Sequence, residues 1–140
     1  MIPRLPTNCE GVDKLLAGGF EQGTVSLVYG EAGTGKTSMA LQLSREAIKS
    51  YPDHVVLFVD TEGLSVERMT QIFGENDASK LLMIRPSSLS DLHQTLTKKL
   101  EQHDKISLVV VDTINAYVRL SYMKNKQLSS RQFLEMTSIL

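Results

Sequence analysis

The sequence predicts an α/β fold in which helices cover both faces of a mostly parallel β-sheet. Residues 55–59 are wholly apolar and lack the alternation of a half-exposed strand, which is typical of a buried parallel strand, and residues 106–112 form a hydrophobic run that ends in Asp112. A third β-rich run, residues 24–29, leads into a glycine-rich loop and then an apolar helical stretch at 38–50. This order of strand, loop and helix predicts the first unit of such a sheet.

The N-terminal segment is expected to close one edge of the sheet. Pro3 and Pro6 keep the first residues extended, and Thr7 or Asn8 can cap a short helix that runs to about residue 16. Two consecutive glycines, residues 18 and 19, end that helix. Its inward-facing residues are expected to be Val12, Leu15 and Leu16.

The rest of the chain alternates between helical and strand patterns. A helix is predicted over residues 65–73, a short strand over 81–84, and a second helix to about residue 103. Ser88 and Asp91 resemble a capping box for the second helix, which presents Leu89, Leu92, Leu96 and Leu100 on one face. Residues 113–120 should lead off the sheet, a polar loop follows at 122–130, and Ser129 or Ser130 caps a last helix.

The glycine-rich loop carries the strongest chemical signal. Residues 30–37 read Gly-Glu-Ala-Gly-Thr-Gly-Lys-Thr and match the phosphate-binding pattern G-x-x-x-x-G-K-[ST] at every fixed position. The glycines let main-chain N–H groups approach an anion, and the following helix adds its unpaired N–H groups and dipole. We therefore expect a P-loop NTPase whose nucleotide-binding residues are Gly30, Glu31, Ala32, Gly33, Thr34, Gly35, Lys36, Thr37 and Ser38.

Within this loop, the Lys36 ammonium can reach the β- and γ-phosphates, and the Thr37 hydroxyl can ligate Mg²⁺. Asp112 ends an apolar strand downstream of the loop, a pattern that holds Mg²⁺ directly or through water. Glu62 follows the other apolar strand and is a candidate to polarise the attacking water, or else an exposed turn acid. For Asp60 the non-catalytic interpretation, an acid of the turn, is the stronger expectation.

The composition limits the number of domains, the partners and the cellular location that are expected. With 140 residues the chain is one domain at most, and the net charge of -1 gives no electrostatic footprint for nucleic acid. A single cysteine excludes an internal disulfide and fits a reducing cytosol. No apolar run approaches the ~20 residues that span a bilayer, so a cytoplasmic location and no membrane partner are expected.

Four features in this order resemble the RecA/RadA recombinase family. They are Leu-Ala-Gly-Gly-Phe at 16–20, the phosphate loop, Asp-Thr-Glu-Gly at 60–63, and the strand that ends in Asp112. Glu-Arg at 67–68, Tyr-Val-Arg at 117–119 and Leu-Ser-Ser-Arg-Gln at 128–132 are also similar, most of all to the archaeal RadB group of short RadA paralogues. The resemblance implies a RecA-like three-layer αβα domain, of which residues 1–140 are the N-terminal part.

The resemblance also implies the chemistry. Glu62 takes the position of the glutamate that activates water, Lys36 is the second catalytic residue, and Thr37 and Asp112 support the metal. The cofactors are then ATP and Mg²⁺, with ADP as product and slow hydrolysis in DNA repair and homologous recombination. DNA is expected to bind mostly through segments beyond residue 140, and further expected partners are a RadA-like recombinase, a branched-DNA nuclease and a second copy of the chain.

Two other functions stay open at this point. The first is an ATP-binding adaptor or mediator of recombination in which turnover is incidental. The second is a KaiC-like regulatory ATPase, although neither a duplicated domain nor a phosphorylated Ser/Thr pair is visible. In RecA-like folds the strand after residue 140 lies between the phosphate-loop strand and the Asp112 strand. A gap with unpaired strand edges is therefore expected here, and order should depend on a further segment, another chain or a rearranged sheet.

Overall fold

A parallel three-stranded sheet lies at the centre of the structure, a computed structural model that describes residues 2–74 and 77–116. Its strands are β3 (Val55–Asp60), β4 (Leu81–Ile84) and β5 (Ile106–Asp112), in the order β4-β3-β5. The register pairs Asp60 with Asp112 at the carboxyl ends of β3 and β5. Residues that follow these strands therefore share one edge of the sheet.

Helices cover both faces of this sheet, as the sequence predicts. Because side chains alternate along a strand, Val56 and Phe58 of β3 face one side while Leu57 and Val59 face the other. On the first side lie α2 (Lys36–Ser50) and α3 (Val66–Phe73), and on the second lies α4 (Leu89–Gln102). The expected α/β class and its layered arrangement are confirmed.

The predicted bounds of α3 and α4 agree with the structure to within one residue. The Ser65 hydroxyl accepts a hydrogen bond from the Arg68 N–H at the start of α3, and Gly74 ends that helix. The Ser88 hydroxyl accepts from the Asp91 N–H at 3.1 Å. The capping box is only half formed, because the Asp91 carboxylate accepts from the N–H and hydroxyl of Ser87 instead of from Ser88.

The N-terminal segment forms a small antiparallel ribbon that the sequence analysis missed. Strand β1 (Arg4–Leu5) pairs with β2 (Phe20–Glu21), and α1 (Glu10–Leu15) lies between them in sequence. The N-cap of α1 is Cys9 and makes no side-chain capping bond, so the prediction of Thr7 or Asn8 as the cap was wrong. The Thr7 hydroxyl instead donates to Asp13 and accepts from the Cys9 N–H.

The predicted inward face of α1 was also wrong. No residue of α1 is buried, and Leu15 is 84% exposed. A helix of six residues makes fewer than two turns, so hydrophobic spacing alone does not fix which face meets the core.

Residues 24–29 do not form the strand that their composition predicts. They lie in irregular backbone, with Val25 68%, Leu27 74% and Tyr29 88% exposed. Within the described residues β5 pairs with β3, and a cleft of about 690 Å³ lies between residues 24–28 and β5. A strand forms only when a neighbour satisfies its N–H and C=O groups, and nothing described fills that role for residues 24–29.

The same cleft explains a second correction. Leu89, Leu92 and Leu96 are buried as predicted, but Leu100 is 38% exposed because it lines the open cleft. The expected gap beside β5 is thus present among the described residues, whereas the dependence on a further segment or chain stays a prediction.

The expected polar loop at 122–130, the last helix, and the motifs at 117–119 and 128–132 lie outside the described residues. In the part of the chain that the structure describes, no helix is both long enough and apolar enough to cross a membrane.

Candidate functional site: a phosphate loop and two strand-end acids

The phosphate loop wraps around the N-terminus of α2. Gly33 and Gly35 have φ angles of 79° and 90°, the left-handed region that favours glycine, and Gly35 is the N-cap of α2. No side chain caps α2, so its first N–H groups remain available to an anion. Gly30 is not in the left-handed region, but a Cβ there would lie 3.3 Å from the Thr34 hydroxyl.

The Lys36 side chain folds back over this loop. Its ammonium donates to the carbonyl oxygens of Gly30 at 3.0 Å and Glu31 at 2.6 Å. The Thr34 hydroxyl donates to the same Glu31 carbonyl at 2.8 Å, which ties the middle of the loop to its start. The loop therefore holds a positive charge above the N-terminus of α2, where phosphate oxygens can replace the carbonyls as its partners.

The two predicted metal residues meet in the structure. The Thr37 hydroxyl donates to Asp112 Oδ2 at 2.6 Å, although the residues are 75 positions apart. Thr37 lies in the first turn of α2 and Asp112 at the end of β5, so the contact joins the loop to the sheet edge. Their oxygens are the hard ligands that Mg²⁺ prefers.

The donor set fits Mg²⁺ bound together with a triphosphate. Among residues 2–74 and 77–116 no cluster of three or more His, Cys, Asp or Glu side chains could hold a metal by itself. Mg²⁺ suits such a sparse site because it keeps several waters and takes one or two protein oxygens plus phosphate oxygens. Thr37 and Asp112 could supply those protein oxygens.

Glu62 lies in the turn that follows β3, at the same sheet edge as Asp112. Its side chain is exposed, and the backbone around it is fixed by Asp60, which is only 5% exposed. Asp60 Oδ1 accepts from the Gly63 N–H at 2.8 Å, and Oδ2 accepts from the Leu64 N–H at 2.7 Å. Asp60 thus holds the turn through hydrogen bonds that the sequence did not predict, and leaves Glu62 free to point outward.

Arg85 completes the support of this turn. Its Nε donates to Asp60 Oδ2 at 3.0 Å, and its guanidinium also donates to the Leu64 carbonyl at 3.1 Å. Burial raises the pKa of Asp60, but the N–H groups of Leu64 and Gly63, together with Arg85, outweigh burial and leave that pKa below its usual value. Asp60 is therefore a charged anchor.

Sequence reasoning assigned no role to Arg85 or to Thr61. A signal for Arg85 was available, because it directly follows β4 as Asp60 ends β3, and the ends of adjacent parallel strands share an edge. The sequence signal for Thr61 was its hydroxyl, because Thr61 stands next to Glu62 at the carboxyl edge of the sheet.

Comparison with known proteins gives the family. The Rad51 family model matches residues 1–139. The chain is similar to the DNA repair and recombination protein RadB of Methanococcoides burtonii, with 38% identity over 121 residues that cover 83% of the chain and 52% of the relative.

Two further relatives carry the same name. The protein from Archaeoglobus fulgidus is 36% identical over 118 residues, 82% of the chain and 52% of the relative. The protein from Thermoplasma acidophilum is 30% identical over 142 aligned positions, 99% of the chain and 61% of the relative. The chain spans about half the length of the curated relatives it matches. With its RecA-like α/β architecture and a family match along nearly its whole length, the chain belongs to the Rad51 family.

Proposed function

We propose that this chain binds Mg-ATP and forms the nucleotide site of a slow ATPase of DNA repair and recombination. The observation that carries the proposal is the hydrogen bond from Thr37 to Asp112, beside a loop that carries Lys36 over the N-terminus of α2. Two oxygens suited to Mg²⁺ meet at Thr37, the residue that follows Lys36, whose ammonium is suited to phosphates. This combination of groups favours a nucleotide site over a glycine-rich turn that binds no ligand.

Each residue then has a defined task. The loop N–H groups and the Lys36 ammonium bind the β- and γ-phosphates, while Thr37 and Asp112 hold the metal directly or through water. Mg²⁺, when bound, neutralises charge on the phosphate oxygens. Glu62 accepts a hydrogen bond from the attacking water and orients it, because its exposed carboxylate stands at the same sheet edge.

The cellular role is proposed from the relatives, whose names place them in DNA repair and recombination. We assign DNA binding to the full-length protein, mostly through segments beyond residue 140, because a net charge of -1 gives these residues no overall attraction to nucleic acid. A RadA-like recombinase, a branched-DNA nuclease or a second copy of the chain are the proposed protein partners.

Substitution of Lys36 tests the nucleotide site. Lys36→Ala removes a charged donor to the phosphates, worth about 3 kcal/mol, so ATP should bind about 100-fold more weakly. The measurement is equilibrium binding of ATP, in the presence of Mg²⁺, to the full-length protein.

Lys49→Ala is the matched control. Lys49 lies in the last turn of the same helix, 3.2 Å from Glu46 and exposed to solvent, so its loss should leave ATP affinity unchanged. If Lys36→Ala bound ATP as tightly as the control, the proposed site would be wrong.

A further inference from the structure

Thr61 connects the turn that carries Glu62 to the strand that carries Asp112. The Thr61 N–H donates to the Asp112 carbonyl at 2.9 Å. The Thr61 hydroxyl accepts from the Thr113 N–H at 2.8 Å and donates to the Thr113 carbonyl at 3.0 Å. Three hydrogen bonds therefore join the residue before Glu62 to Asp112 and its neighbour.

These bonds use main-chain atoms of β5 and of the residue after it. Such atoms move only if the strand end moves, so the hydroxyl fixes Thr61 against the sheet whatever side chain stands at position 113. The Thr61 hydroxyl donates one hydrogen bond and accepts another, so its position is fixed by two partners. A threonine is also stiff at χ1, which limits the freedom of the hydroxyl further.

The other end of the turn is held independently. The Asp60 carboxylate accepts from the N–H groups of Gly63 and Leu64. Glu62 is thus the one residue of the turn whose side chain is left exposed, between a clamp to β5 on one side and a buried anchor on the other. The Asp60 anchor fixes the shape of the turn, and the Thr61 clamp extends the pairing of β3 with β5 to the residue that precedes Glu62.

We infer that Thr61 is a positioning residue that sets the place of Glu62 relative to Asp112 and Thr37. The inference rests on the proposed ATPase function. The connected path runs from Thr37 to Asp112 by one hydrogen bond of 2.6 Å, and from Asp112 and Thr113 to Thr61 by three more. In the proposed mechanism Glu62 would orient the water and Asp112 would hold the metal at the same phosphate, so the distance between the two carboxylates would affect the rate.

The expected consequence is a loss of rate without a loss of binding. The hydrogen bonds of Thr61 go to Asp112 and Thr113 and not to the phosphate loop or Thr37, so we expect ATP affinity to be independent of its hydroxyl. A displacement of about 1 Å at a catalytic group costs up to about 100-fold in rate. Removal of the hydroxyl should therefore lower kcat and leave KM for ATP near its original value.

The test compares Thr61→Val with Thr61→Ser in the full-length protein. Valine keeps the size and branching but lacks the hydroxyl, and serine keeps the hydroxyl but loses the methyl group. We expect Thr61→Val to lower kcat about tenfold or more with KM and ATP affinity within about twofold, and Thr61→Ser to restore most of kcat. If Thr61→Val does not fold, Thr61→Ala serves as the hydroxyl-free variant.

Other outcomes overturn the inference. An unchanged kcat in the hydroxyl-free variant, an equal loss in Thr61→Ser, or a parallel loss of ATP binding would each contradict positioning. If neither hydroxyl-free variant folded, Thr61 would be a residue for stability instead.

Glu62→Gln, measured in the same series, distinguishes a wrong role for Thr61 from a wrong proposed function. That variant should bind ATP but lose turnover. Full turnover in Glu62→Gln would reject the water-orienting role itself, and the role of Thr61 with it. Lost turnover in Glu62→Gln with full turnover in Thr61→Val would reject Thr61 alone.

Discussion

Asp60 shows how a buried charge can serve a site without touching its ligand. Three hydrogen bonds, from Gly63, Leu64 and Arg85, converge on a carboxylate that is only 5% exposed. A carboxylate with these partners favours its charged form, which agrees with its lowered pKa. The adjacent Glu62 stays exposed, so two acids in one turn have different tasks.

Asp60→Asn should destabilise the fold in a pH-dependent manner. An amide cannot accept all three hydrogen bonds and carries no charge for Arg85, so the loss at neutral pH should be about 1–3 kcal/mol. Because the pKa is lowered in the folded state, this contribution is present above the unfolded-state pKa of about 3.9 and is lost as pH falls through the folded-state pKa.

Urea unfolding at a series of pH values checks this prediction. The gap in unfolding free energy between the original protein and Asp60→Asn should be constant above about pH 5 and close at lower pH. Asp104→Asn, an exposed acid just before β5, is the control and should follow the original protein throughout. If the difference in unfolding free energy stayed the same down to the lowest pH, the conclusion that Asp60 is charged in the folded protein would be wrong.

At the scale of elements, the ribbon of β1 and β2 depends on a close backbone approach. Gly19 has a φ of 124°, and a Cβ on it would lie 2.6 Å from the Leu5 carbonyl carbon and 2.7 Å from Pro6 Cα. These are backbone atoms that cannot rotate away. The glycine that the sequence analysis interpreted as a helix stop therefore also packs β2 against β1.

Gly19→Ala should lower the free energy of unfolding by about 2–4 kcal/mol, from strain at positive φ and from overpacking. Gly11→Ala is the matched control, because Gly11 lies within α1 and nothing stands within 4 Å of its added Cβ. The control should be neutral or stabilise by up to about 1 kcal/mol. Urea unfolding measures both, and equal stability of the two variants would refute the close approach.

Elements with several agreeing signals could be predicted from sequence. A helix was predicted over residues 65–73 and α3 spans Val66–Phe73, while β3 and β5 followed from hydrophobic runs of strand length. The ribbon of β1 and β2 could not be predicted, because strands of two residues are too short to show an alternation of apolar and polar residues. The face of α1 was mispredicted for the same reason, since a six-residue helix has little pattern to read.

At the scale of the whole molecule, the site is better specified by sequence than the sheet around it. The loop pattern and Asp112 are local signals, and their meeting at Thr37 follows from parallel topology. The strand predicted at residues 24–29 depends on more than its own residues. A strand needs a neighbouring strand to pair with, and the β-propensity of a segment does not show whether one is present. Val25, Leu27 and Val28 of that segment and the exposed Leu100 line one cleft beside β5.

Thermal denaturation of the full-length protein with and without Mg-ATP tests the central claim most directly. A ligand that binds only the folded state stabilises it by about 2.7 kcal/mol at 100 times its Kd. We expect the midpoint to rise with Mg-ATP and to rise less with ATP and a chelator, because Thr37 and Asp112 then hold no metal. A midpoint that stayed the same at saturating Mg-ATP would contradict the assignment of residues 30–38, Thr37 and Asp112 as a nucleotide site.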